Sequence, residues 1–124
     1  MNDSPKSAFR AYIRAFETLD PEAALPFYHV PCMFIAPQGV FTAPDTNTIR
    51  GLLSQFMGQL RSQSYRCTEV VGLTVRKLSP DLATCTGAFV RFNTSDKEIA
   101  RLGFTYTMRY SDSWKIIVTM VHEP

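Results

Sequence analysis

Between Ser4 and Leu19 the apolar residues Ala8, Phe9, Tyr12, Ile13, Phe16 and Leu19 recur at intervals of three and four, with Lys6, Arg10, Arg14 and Glu17 between them. That spacing follows the turn of an α-helix and predicts one buried stripe. Ser4 ahead of Pro5 fits an N-cap followed by a first-turn proline. Asp20-Pro21 ends the segment, because a residue preceding proline avoids helical backbone angles. Asp20 can itself cap a second, short helix over PEAALPFY. Farther along, Asp45 precedes TNTIRGLLSQFMGQLRSQ, in which Ile49, Leu52, Leu53, Phe56, Met57 and Leu60 form a second helical stripe.

Two short apolar runs, PCMFIAP and QGVFTAP, lie between the helical segments and read as a pair of strands joined at Pro37-Gln38-Gly39. From about Tyr65 the chain turns to β-branched and aromatic residues, punctuated at Ser79-Pro80-Asp81, Thr94-Ser95-Asp96 and Ser111-Asp112-Ser113. Four antiparallel strands are expected, at 65–78, 82–93, 97–110 and 114–122. In the third of these, Ala100, Leu102, Phe104, Tyr106, Met108 and Tyr110 share a face directed at the helices. In the fourth, Trp114, Ile116, Val118, Met120 and His122 share one parity, and Lys115, Ile117, Thr119 and Val121 the other. Both faces of that strand are largely apolar, so one is expected to be covered by a partner.

Composition narrows the class to a single packed α+β domain over 1–124: 45% of the residues are hydrophobic and 19% charged, with nine Phe and five Tyr. Thirteen Lys and Arg against eleven Asp and Glu leave a net charge of +2, dispersed along the chain, which argues against a nucleic-acid-binding face. No apolar run is long enough to span a membrane and the start, MNDSPKSAFRAY, lacks the apolar stretch of a signal peptide, so a cytoplasmic location is expected. Cys32, Cys67 and Cys85 are widely spaced and read as buried hydrophobes rather than a disulfide framework or zinc site.

The order helix, short helix, two short strands, longer helix and four long strands resembles the nuclear transport factor 2-like superfamily. The opening AFRAYIRAFETLD followed by PEAALPFYH, and the Trp-initiated closing strand WKIIVTMVHE, are similar to SnoaL-like proteins. The resemblance implies a cone, in which a curled antiparallel sheet packs on N-terminal helices around an apolar pocket, and homodimers formed through the outer sheet face. It also spans isomerases, cyclases, dehydratases, epoxide-hydrolase-like enzymes and non-catalytic binding domains. Ketosteroid isomerase-like members carry an aspartate near the first strands, whereas this chain has no Asp or Glu from Phe27 to Thr42. The paired aspartates of the epoxide-hydrolase-like branch also have no counterpart, because Asp81, Asp96 and Asp112 fall in turns.

Acid-base chemistry would fall to Glu69, His29 or His122. Glu69 is the one carboxylate that alternation places on an apolar face, with Cys67, Val71, Leu73 and Val75; a β-bulge would reverse that parity, and an ion pair to a neighbouring arginine is the ordinary alternative. The two histidines can shuttle protons near neutral pH, or serve as a loop histidine and a hydrogen-bonded strand-end histidine. No motif points to a metal or an organic cofactor. Tyr12, Phe16, Phe34, Phe56, Phe104, Tyr106, Met108 and Met120 either fill the core or line a pocket suited to a mainly apolar molecule with one or two oxygens.

Three functions therefore stand at this level. The first is a domain that binds a small apolar molecule. The second is a cofactor-independent isomerase, dehydratase or cyclase using Glu69 or a histidine, and the third is a structural dimerisation module. A homodimer is expected through Ile117, Thr119 and Val121 with Gly103, Thr105 and Thr107 on the neighbouring strand.

Overall fold

The computed structural model of the chain describes residues 4–124. Helix α1 spans Pro5–Glu17, and the Ser4 hydroxyl accepts from the Ser7 amide at 3.1 Å as its N-cap. Asp20 caps α2, Pro21–Ala24, through the Glu22 amide, and a single 3₁₀ turn, Leu25–Phe27, leads into the sheet. Asp45 caps α3, Thr46–Ser62, at 2.8 Å from the Thr48 amide. Each cap satisfies an amide that the first helical turn leaves without a partner.

Six strands form one sheet: β1 Tyr28–Ala36, β2 Gly39–Ala43, β3 Tyr65–Ser79, β4 Leu82–Asn93, β5 Glu98–Tyr110 and β6 Trp114–His122. Their spatial order is β2-β1-β6-β5-β4-β3, antiparallel throughout except for the parallel pair β1 and β6. The four long strands match the sequence expectation to within a residue. β1 begins at Tyr28 rather than Pro31; the ladder to β6 is interrupted between Tyr28 and Met33, so the proline's missing N–H removes no regular pairing. Among the described residues no helix is long and apolar enough to cross a membrane.

The helices lie in the concave face of the sheet. Ile49, Leu53, Met57 and Leu60 of α3 and Ala8, Phe9, Tyr12 and Ile13 of α1 are buried there. The stripe of β5 points as expected, with Phe104, Tyr106 and Met108 buried, although Tyr110 at its end is 42% exposed. One end of the cone is filled by interlocking sizes: Ala83, Cys85 and Gly87 on β4 stand opposite Met108, Tyr106 and Phe104 on β5. Phe104 stacks on Phe89 at 4.2 Å between centroids and on Phe9 at 5.2 Å. A Cβ on Gly87 would lie 2.8 Å from the Val71 carbonyl oxygen and 3.1 Å from the Phe104 ring. Only glycine fits there.

Two irregularities redirect side chains from the expected alternation. In β3 the register slips between Val71 and Thr74, around Gly72 at φ +66°. Glu69 therefore pairs with the outward Val90 and is exposed, while Val70, Leu73 and Val75 pack against the core. In β6, Met108 pairs with Ile116 but Thr107 pairs with Val118, so one extra residue is accommodated. Ile116 faces inward, yet beyond the bulge Thr119 and Val121 turn into the cone while Val118, Met120 and His122 turn out. The expected outward placement of Thr119 and Val121, and the inward one of Met120, are thereby reversed.

Candidate functional site

A cavity of about 490 Å³ remains between α1, α3 and the concave sheet, within the size range of small-molecule sites. Five of the eight residues singled out from the sequence line it: Tyr12 and Phe16 from α1, Phe34 from β1, Phe56 from α3 and Tyr106 from β5. The hydrophobic wall is completed by Ile13, Leu52, Phe89, Leu102 and Val121. The ladder explains the convergence, because Tyr106, Thr119 and Phe34 form one row across β5, β6 and β1. Gln55 and Gln59 of α3 and Gln63 at its C-cap lie four residues apart and put exposed amides on the rim.

Tyr12, Tyr28 and Tyr106 bring three phenols together. The Tyr12 and Tyr28 hydroxyls share a hydrogen bond at 2.5 Å and their rings meet edge to face with centroids 5.4 Å apart. Tyr106 joins them, 6.2 Å from Tyr12 ring to ring. Burial, the largest cause, holds all three well above the ordinary tyrosine value, and the nearby Arg91 charge acts in the opposite sense on Tyr12 and Tyr106. Near neutral pH these groups are protonated hydrogen-bonding partners.

Arg91 is the one cation among the described cavity-lining residues. It stands opposite Ala100 on β5 and Thr68 on β3, with its guanidinium carbon 6.0 Å from the Phe89 ring centroid. Its Nε is buried and has no hydrogen-bond partner among the described residues. A donor withdrawn from water without a replacement costs about 1–3 kcal/mol, more when charged. The Glu17 carboxylate accepts the Thr68 amide at 2.8 Å and forms no ion pair with Arg91.

The remaining sequence candidates lie elsewhere. Phe104 and Met108 are fully buried in the filled end of the cone, where the Cys85 thiol donates to the Met108 sulfur at 3.7 Å. Met120 is on the convex face for the reason given above. Glu69 is on that face too, where its charge interacts with Arg101. His29 is oriented by two contacts: its Nδ1 donates to the Pro31 carbonyl at 2.9 Å and its Nε2 accepts from Arg109 at 3.1 Å. His122 covers Gly103 on the convex face, with Nε2 3.2 Å from the Thr105 hydroxyl. Glu69, His29 and His122 are thus separated from the cavity. Burial raises the Cys32 and Cys85 thiols to about 11, which suits inert core residues.

Sequence reasoning missed Arg91, Tyr28, Thr119 and the glutamine row. Arg91 was accessible by alternation, since it shares parity with Ala83, Cys85, Gly87 and Phe89. Thr119 was not, because its orientation depends on a bulge.

An α+β chain with a curled six-stranded sheet, helices in its concavity and a residual cavity defines the class. The sequence matches the family NTF2-like protein (DUF6841) over residues 3–124, and the chain belongs to that family. No curated protein matches the sequence. Among solved structures, an NTF-2 like protein of unknown function from Shewanella oneidensis MR-1 superposes with a TM-score of 0.75 at 13% identity, covering 95% of each chain. An NTF2-like protein from Cytophaga hutchinsonii superposes at 0.72 with 15% identity, covering 96% of this chain and 94% of that one. A protein of unknown function with a cystatin-like fold from Nostoc punctiforme gives 0.75 at 12% identity, covering 94% and 86%. Likeness at these identities establishes the fold.

Proposed function

We propose that this domain binds a small, mainly apolar molecule in the cone cavity. The observation that carries the reading is the convergence of Phe16, Phe34, Phe56 and Tyr106 on an unfilled space of about 490 Å³, beside a hydrogen-bonded phenol cluster. Aromatic walls exclude water from the body of a ligand, and a few fixed polar groups orient its oxygens. Binding is favoured over proton-transfer catalysis because the carboxylate and imidazoles available for acid-base work point away from this space. Buried Trp114 at the head of β6 supports a place near the SnoaL-like proteins.

Calorimetric titration with phenylbutanol tests the reading. Saturable binding to the wild type, abolished in Ala100→Phe by filling the cavity, is the expected result. Unchanged binding to that variant would move the site elsewhere, and no binding to the wild type would remove the proposal.

A homodimer through the convex sheet face is part of the same proposal, with its residues reassigned. Met33, Ile35, Val118 and Met120 occupy adjacent outward positions of β1 and β6, continued by Thr105 and Thr107 on β5. Covering about 800 Å² per partner there would make an ordinary stable interface.

A further inference from the structure

We infer that the cavity's ligand carries an anionic oxygen group, a carboxylate or an acid of like geometry, on its apolar body, and that Arg91 binds it. This rests on the binding role proposed above and names the chemical class of the ligand.

The charge balance of the molecule sets Arg91 apart. Arg50, Arg66 and Arg101 pair with Glu22, Asp96 and Glu98 at 2.6–2.8 Å, all on the exposed surface. Arg91, facing the cavity, has no carboxylate within 4.0 Å among the described residues, and its Nε is enclosed without a partner. A cation held this way is poorly compensated, and a neutral apolar ligand would expel water without replacing the missing acceptor. A carboxylate would replace it, because its two oxygens match the parallel N–H groups of a guanidinium fork.

The surroundings agree. Thr68 and Ala100 flank Arg91 with small side chains and leave access from the cavity. No Asp or Glu is among the described residues lining the space, so the wall itself presents no carboxylate to an incoming anion. The phenols of Tyr12 and Tyr106 lie close enough to feel the arginine's charge and remain protonated near neutral pH, and three hydroxyls joined by two hydrogen bonds leave the cluster one hydrogen to donate. Phe16, Phe34 and Phe56 then receive the apolar remainder of the molecule.

The test compares phenylbutyrate with phenylbutanol, which share an apolar body and differ in the charged end, by calorimetry on the wild-type protein. The acid is expected to bind at least about tenfold more tightly, as a charge-assisted pair requires. Arg91→Gln should remove that preference, so that acid and alcohol bind that variant with equal affinity, and Arg91→Lys should restore part of it. Equal affinities for acid and alcohol in the wild type would overturn the anionic class and leave the apolar site standing; failure of both to bind would overturn both readings. A preference that survives Arg91→Gln in full would overturn the role of Arg91. If that variant does not fold, the Arg91 Nε–H signal in wild-type NMR spectra decides: it shifts with the acid alone if the inference holds, and stays in place if it is wrong.

Discussion

Thr119 stands opposite Tyr106 in the register of β6 and β5, and both side chains face the cavity. This relation exists because the ladder slips between Thr107 and Met108, which puts Thr119 on the opposite side from the one uninterrupted alternation assigns to it. The dimer prediction changes accordingly. Val118→Arg or Met120→Arg should shift the sedimenting species from about twice 14.0 kDa to the monomer, whereas Thr119→Ser should leave it unaltered. A monomeric wild type at micromolar concentration would remove the interface.

The same slip shows what the sequence could and could not carry. Helix stripes, caps at Ser4 and Asp20, and the ends of four long strands were readable, because each depends on residues within a turn or two of one another. The inward side of β5 was also readable, since its apolar parity is unbroken between Ala100 and Tyr110. The face of β3 ahead of Gly72, where Glu69 and Val71 point outward while Leu73 and Val75 beyond it pack inward, and the face of β6 beyond Ile116 were not. A bulge depends on the neighbouring strand, and each one reverses every side chain that follows it. Glu69, Met120 and Thr119 were misplaced for this reason; of the five expected residues that line the cavity, Tyr12, Phe16 and Phe56 lie on helices, where no such slip arises.

Removal of one phenol should be felt in stability. Tyr12→Phe leaves the Tyr28 hydroxyl without its observed partner in a buried setting, for a loss of about 1–2 kcal/mol in urea denaturation. A loss below experimental error would show that the pair contributes no net stability.

Alkaline pH should unfold the protein through the same cluster. Tyr12, Tyr28 and Tyr106 are raised above the unfolded value by burial, and Tyr65 is pushed up to about 12 by the same cause. Groups raised in the folded state stabilise it fully below the unfolded pKa of about 10 and cease to do so as pH climbs through the folded values. Stability should therefore fall above about pH 10. Near-ultraviolet absorbance should show these phenols ionising together with loss of near-ultraviolet circular dichroism; free ionisation of all tyrosines in a folded protein would contradict it.

Two glycines should respond in opposite directions. Gly87→Ala forces a Cβ to 2.8 Å from a backbone oxygen at φ +158°, and a loss of about 2–3 kcal/mol is expected. Gly58→Ala, in α3 with nothing within 4 Å, should gain about 0.5–1 kcal/mol. Thermal melts of the two variants read the difference.

The cavity as a ligand site is tested most directly by mapping amide shifts in NMR spectra during titration with phenylbutanol. The predicted shifts cluster at the lining positions of Phe34, Phe56, Tyr106 and Thr119, with Glu69, His29 and His122 unmoved. Shifts confined to the convex face, or no saturable shift at the lining residues, would contradict the account.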